Sequence, residues 1–296
     1  MKTYKLLSVV LGLLFALSFT SCRKNETGVY SPKKKIQQIY YSWSDTEKEP
    51  FQHWEWNGDK LSSITHYSDF DFKSDTWVEN FTYDNNNRVT RVDNYTNSEY
   101  ITYEYDGNHL KSATVFYRNA IACTWAISYD GEKISKMTGT FYDDYKSGAQ
   151  LHLNPLSHLL PQNISENITK YERQLASQRQ QQETYTLALL LTWTDNNISK
   201  IIYTGDGDYL DFQLQYDDKN CPWYGFMGGL EDYLINFSSG HTGFTKNNLT
   251  SMIITEGHYV DTIRFAYQYD SDKYPVLQTM YEIDEPDDKQ VLYFEY

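Results

Sequence analysis

Residues 103–112, YEYDGNHLKS, are one copy of a pattern that returns along nearly the whole chain. WEWNGDKLSS (54–63), FTYDNNNRVTRV (81–92), ISYDGEKISKM (127–137) and LTWTDNNISKI (191–201) share its template: alternating aromatics, an Asp/Asn/Gly turn, a basic or polar residue, then a branched aliphatic. A period of 22 to 24 residues between the aromatics before the turns (Tyr83, Tyr105, Tyr129; Trp193, Tyr216) suits two strands and two turns. Within a copy, Phe81 and Tyr83, or Tyr103 and Tyr105, alternate with polar residues as a half-buried strand requires. Asn57-Gly58, Asp106-Gly107 and Asp130-Gly131 accept positive φ, so each reads as a hairpin turn.

After each turn the apolar residues fall three apart: Leu61 and Ile64, Val89 and Val92, Ile134 and Met137, Ile198 and Ile201, Leu249 and Met252. In a regular strand such positions face opposite sides, so either both faces are covered or a bulge just past the turn restores the facing; the bulge fits short hairpin loops better. Seven or eight copies imply on the order of fourteen strands in an antiparallel meander. So wide a sheet must curl, split or close, and the expected fold is all-β, a single rolled or barrel-like sheet of repeated hairpins spanning 37–296.

Residues 146–182 interrupt the pattern. Pro155 and Pro161 punctuate them, then Ile164, Ile168, Tyr171 and Leu175 recur at helical spacing with Asn163 placed to cap and Glu166 three residues later. A short helical insertion near 163–180 is expected. Residues 22–36 are polar and basic without periodicity and read as a flexible tether.

Lys2 and Lys5, the apolar run from Leu6 to Phe19, and Thr20-Ser21-Cys22 have the order of a secretory signal, residues 1–21, with a run too short to span a bilayer. The small residues before Cys22 resemble the lipobox of bacterial lipoproteins. That resemblance implies acylation of Cys22, palmitate among the acyl chains, and an outer-membrane location facing the periplasm or the cell surface. The chain carries 26 Lys and Arg against 40 Asp and Glu, a formal charge of −14, and loss of 1–21 with its two lysines leaves −16. Such a field repels phosphate backbones and makes a nucleic-acid partner unexpected. The C-terminal VLYFEY is like the aromatic ending of outer-membrane barrels, but Lys, Asp, Glu and Ser on the would-be lipid face speak against insertion. The sequence leaves open whether Cys123 and Cys221 pair.

Two family resemblances follow. FTYDNNNRVTRV with YITYEYD is similar to the tyrosine-aspartate repeats of Rhs-type proteins, over a few copies. The lipobox at Cys22, the repeated Tyr-Asp turns, YDDKNCPWYGFMGGLEDY (216–233) and FTKNNLTSM (244–252) together resemble an uncharacterised family of envelope lipoproteins of gut-type Gram-negative bacteria with a porin-like fold. Cys221, between Asn220 and Pro222, departs from that family's segment. The resemblance implies a fold and an address, and no catalytic residue or ligand.

Chemistry is sparse. The seven histidines show no HExxH or other close metal spacing, and there is no GxSxG, phosphate-cradling glycine loop or CxxC. Asp206, Asp208 and Asp211 lack the twelve-residue calcium loop and read as an Asp-Gly turn. No metal, cofactor or catalytic residue is expected. Aromatics remain, 28 Tyr, 14 Phe and 7 Trp. Most sit at repeat positions where rings suit cross-strand pairs, but Trp54, Trp56, Trp223 and Tyr224 fall near turns or outside the repeat and are the candidate residues for stacking on sugar rings. The expected role is a non-enzymatic binding or scaffold module for a glycan or an envelope protein. The alternative is a carbohydrate-active enzyme with carboxylates spread over the sheet.

Overall fold

A computed structural model describes residues 28–43, 47–67, 76–94, 99–142, 184–205, 208–227 and 243–296. They form sixteen strands: β1 (Gln38–Trp43), β2 (Glu49–Asn57), β3 (Lys60–Tyr67), β4 (Thr76–Tyr83), β5 (Val89–Asn94), β6 (Glu99–Asp106), β7 (His109–Tyr117), β8 (Ala120–Asp130), β9 (Lys133–Tyr142), β10 (Thr184–Thr194), β11 (Asn197–Gly205), β12 (Asp208–Tyr216), β13 (Leu249–Glu256), β14 (Tyr259–Tyr269), β15 (Pro275–Glu282) and β16 (Gln290–Glu295). Each pairs antiparallel with its neighbours in sequence. The sheet closes where β1 meets β16, from Gln38↔Glu295 to Trp43↔Gln290. The meander is therefore a closed barrel of eight hairpins, the upper end of the expected count. No helix occurs among the described residues; the expected helix near 163–180 lies outside them, as do Cys22 and the signal segment.

The expected bulge is present in seven hairpins, always beside the aromatic that precedes the turn: Trp56, Tyr83, Tyr105, Tyr129, Trp193, Tyr216 and Tyr269. The extra residue sits on the strand after the turn, so the aliphatics on either side of it face the same way. In five hairpins that residue is Ser or Thr, and its hydroxyl closes the bulge by donating to the carbonyl just before the aromatic. These are Ser62 to Glu55 (2.8 Å), Thr90 to Thr82 (3.2 Å), Ser135 to Ser128 (3.3 Å), Ser199 to Thr192 (3.3 Å) and Thr250 to Gln215 (3.1 Å). The template's polar position thus satisfies a carbonyl that the disturbed ladder would leave unpaired.

The aromatic joins one hairpin to the previous one. Tyr83 Oη donates to the Leu61 carbonyl (2.7 Å), Tyr105 to Val89 (2.6 Å) and Tyr129 to Leu110 (3.0 Å); Tyr267, two residues before Tyr269, donates to Leu249 (2.8 Å), and Tyr296, after β16, to Pro275 (2.8 Å). Trp56 and Trp193 do the same through Nε1, to Ile36 (2.7 Å) and Ile134 (2.6 Å). Burial pushes the Tyr83, Tyr105 and Tyr267 phenols well up, so they stay protonated and remain donors. The basic residue of the preceding hairpin, or for Trp56 of the 28–36 segment, covers the same ring: Lys35 over Trp56, Lys60 over Tyr83, Arg88 over Tyr105, Lys133 over Trp193. His109 plays this part for Tyr129, at 4.4 Å between ring centroids. Each such contact is worth about 0.5–1 kcal/mol at an exposed site.

The row of cations breaks at Asn197. Its Oδ1 accepts the backbone N–H groups of Lys246 and Asn247, each at 3.1 Å, and its Nδ2 donates to Asn247 Oδ1 at 3.0 Å. There the β12–β13 connection docks onto the rim.

Inward-facing side chains form one apolar core, with Ile36, Ile39, Leu61, Ile64, Ile101, Leu110, Met137, Ile198, Ile201 and Phe212 almost wholly inaccessible to solvent. Glu104, Lys111, Ser128, Lys136 and Gln268 lie on the outer face and are exposed. Thr102, Thr114, Thr138 and Thr140 share that face. Apolar inside and polar outside is the reverse of a membrane-spanning barrel.

One expectation needs correction. The described part of the segment read as a tether, 28–36, is folded onto the turn end: Tyr30 is buried and donates to the Pro222 carbonyl (2.7 Å), and the Gly28 carbonyl accepts Val89 N–H (3.1 Å). Gly28 has φ +87°, and a Cβ there would overlap Tyr105 Oη. The segment lacks periodicity because its partners are distant in sequence, on hairpins and in the β12–β13 connection. Cys123 and Cys221 are unpaired, buried thiols pushed up to about 12 by burial, so neither is a reactive thiolate.

Candidate functional site

The strand alternation gives the barrel two unlike ends. The seven bulged hairpin connections, among them the described part of β12–β13, and the 28–36 segment gather at one, here the turn end. The opposite, loop end carries the β7–β8, β13–β14 and β15–β16 connections.

The four candidate aromatics lie at the turn end. Trp54 and Trp56 face inward on β2; Trp223 and Tyr224 belong to the β12–β13 connection. Phe226 and Tyr30 gather the first pair: Trp54–Phe226 5.1 Å, Tyr30–Phe226 5.3 Å, Tyr30–Trp56 5.7 Å and Trp54–Trp56 6.5 Å between ring centroids. Trp223 packs edge-on to Phe294 at 5.2 Å. Trp54 and Trp223 are 3% and 2% exposed, so neither presents an open face; Trp56 and Tyr224 are half-buried. Gly225, at φ +89°, lets this connection close, since a Cβ would sit 2.7 Å from the Val29 carbonyl oxygen. The cluster caps the turn end.

Towards the loop end, the inward positions of β2 to β6 turn polar. Gln52, His66, Glu79 and Asn94 are buried, and Glu99 is half-buried. Pairing aligns them: Gln52 opposite His66, and Glu79 opposite Asn94, which is opposite Glu99. A directed chain links this row to the aromatic cap. Trp54 Nε1 only donates, so Gln52 Oε1 (3.1 Å) receives it and the amide nitrogen faces His66 Nδ1 (3.4 Å). Nδ1 must then accept, which puts the proton of a neutral His66 on Nε2, 3.2 Å from Glu79 Oε2. Trp77 stacks on the imidazole at 4.8 Å and 5°.

Burial, then the Glu79 carboxylate, pushes the Glu99 carboxyl up. Across the barrel, burial raises Asp261 and Glu282, each further raised by acidic neighbours, Asp284 beside Asp261 and Asp261 beside Glu282. Among the described residues no group of His, Cys, Asp and Glu is arranged to hold a metal.

Sequence reasoning missed this row. The signal was present: Glu79 shares the alternation of Phe81 and Tyr83, and Glu99 that of Ile101 and Tyr103, so a carboxylate at an inward position could have been read from each. Chemically the row offers hydrogen-bond acceptors, amide donors and a carboxyl held towards its neutral form.

No protein-family model matches the chain, and no curated protein matches it. Solved structures do. The crystal structure of a porin-like protein from Bacteroides uniformis superposes with a TM-score of 0.53 at 10% identity, covering 89% of this chain and 98% of that one. A porin-like protein from Bacteroides vulgatus gives 0.52 at 8% identity, covering 88% and 98%. At such identity the likeness is one of fold: this chain shares the porin-like barrel over nearly its whole described length.

Proposed function

We propose that the chain is a non-conducting, lipid-anchored barrel that serves as a binding or scaffold module of the bacterial outer membrane, held there through Cys22. The observation that carries this reading is the inverted barrel wall: Ile, Leu, Met and Phe fill the inward positions while Lys, Glu, Ser, Thr and Gln take the outer ones. A charge on a lipid-facing wall costs about 0–1 kcal/mol near the bilayer faces, where Lys111 and Lys136 beside the turns would sit, and about 2–4 kcal/mol at the midplane, whereas in water the same face is favourable. An acyl anchor supplies the membrane attachment that the strands do not. Glycans or envelope proteins are the partner classes that suit this address. A glycan array probed with residues 23–296 tests the first: retention of a sugar class without turnover is expected, and absence of retention across all classes leaves a protein partner.

One observation favours the enzymatic alternative, the inward pair Glu79 and Glu99 flanking Asn94, with the Glu99 carboxyl raised. A pair of carboxyl groups, one of them held towards its protonated form, is what glycoside hydrolysis uses. Release of reducing sugar that is abolished in Glu99→Gln would establish that reading in place of the first.

A further inference from the structure

We infer that the barrel stands on the membrane by its turn end, with those turns against the lipid headgroups and the loop end pointing away. The inference rests on the proposal that Cys22 is acylated, and two observations orient the molecule once that holds. First, the described residues begin at the turn end: the Gly28 carbonyl accepts the Val89 N–H, Tyr30 is buried under Trp56 and Phe226, and Ile36 is fully buried. Only six residue steps separate Cys22 from Gly28. Even fully extended they reach about 20 Å. The strands of a barrel, tilted some 35–45° and rising about 3.3 Å per residue, put the loop end roughly another 20 Å beyond the turns. The anchor therefore reaches the headgroups readily when the turns face them, and barely when the loop end does.

Second, charge is distributed to match. At the turn end acids and cations are interleaved, with Lys34 paired to Asp270, Lys35 to Asp59 and Arg88 to Asp84, while Lys60 and Lys133 lie over ring faces. At the loop end the β15–β16 connection carries Asp284, Glu285, Asp287 and Asp288 against a single Lys289, beside Glu282 and Asp261. Anionic headgroups repel that end and tolerate the other, within a Debye length of about 8–10 Å. A partner arriving from the aqueous side meets the acidic end, with the Glu79–Asn94–Glu99 row inside its mouth.

The full-length acylated protein in phosphatidylethanolamine/phosphatidylglycerol vesicles decides the matter. Single labels are placed at Asn108→Cys, in an exposed turn, and at His258→Cys, exposed at the loop end, while the native Cys123 and Cys221 are buried. Energy transfer to a headgroup-labelled lipid is expected to be about twofold more efficient from position 108 than from 258, following the roughly 20 Å difference in height. Inserting ten Gly-Ser residues after Asn25 frees the tether and should bring the two efficiencies together. With palmitate incorporated into the chain, equal efficiencies or a nearer position 258 overturn the orientation alone. A wild-type chain that takes up no palmitate overturns the anchor, and the orientation with it.

Discussion

The two ends of the barrel solve the problem of finishing a strand differently. At the turn end, most hairpins supply an aromatic whose hydroxyl or indole N–H closes a carbonyl of the stretch before it, and a basic residue of that earlier stretch covers the ring; the β12–β13 hairpin departs, since Tyr216 makes no such bond and Asn197 takes the cation's place. The stitch is local in sequence and repeats. At the loop end, strand pairing aligns Gln52, His66, Glu79, Asn94 and Glu99, and a directed hydrogen-bond chain runs from Gln52 through His66 to Glu79, which no repeat enforces. The difference teaches that a repeat can secure most of one rim of a barrel and leave the other free to vary.

The ionisable groups follow the same division. At the turn end, Lys35 holds the Asp59 carboxyl low. Around Asp84, burial would raise the carboxyl, but the Arg88 and Asn86 N–H groups and the Arg88 guanidinium outweigh it and hold it low. At the loop end Glu99, Asp261 and Glu282 are all raised, chiefly by burial. A lowered carboxyl stabilises the fold above its unfolded value, near 4, and loses that contribution as pH falls through the folded value. A raised one contributes fully below the unfolded value and loses it as pH rises through the folded value.

The sharpest way to break the comparison is at the aromatic cap. Phe226→Ala removes the ring that touches Tyr30, Trp54 and Phe81, and should cost about 3–5 kcal/mol in urea unfolding. A cost below about 1 kcal/mol would mean that the cap is not part of the core. Glu79→Ala leaves the buried His66 Nε2–H without its acceptor, with an expected loss of about 1–3 kcal/mol in the same assay. Tyr105→Phe keeps the ring under Arg88 but removes one donor to Val89, and about 1 kcal/mol is expected. A loss as large as that at Phe226 would show the stitches to be cooperative. The smallest effect is the most diagnostic of sign: Glu99→Gln should raise the thermal midpoint at pH 7 and leave it unchanged near pH 4, whereas Asp84→Asn should lower it at pH 7. Shifts of the same sign in both variants would remove the electrostatic distinction between the ends.

Legibility in the sequence followed locality. The hairpins, their turns and even the bulge were readable, because Asp-Gly dipeptides, the aromatic before them and the aliphatics three apart all lie within a dozen residues. The role of the basic residue was not, since Lys60 covers Tyr83 in the next hairpin. Residues 28–36 looked like tether because Tyr30 and Ile36 find their partners at Pro222 and Trp56, far along the chain. Trp54 and Trp223 looked available for sugar stacking, since the sequence does not show that Phe226 and Phe294 occupy them. The polar row escaped because its members come one to a strand and become neighbours only through pairing.

The central proposal is that this porin-like barrel, with its apolar core inside, needs no bilayer to stay folded. Residues 23–296, without acyl chains and without detergent, test it most directly by analytical ultracentrifugation. The account predicts a monodisperse, compact species. Aggregation relieved only by micelles, with single-channel conductance on addition to a planar bilayer, would contradict it.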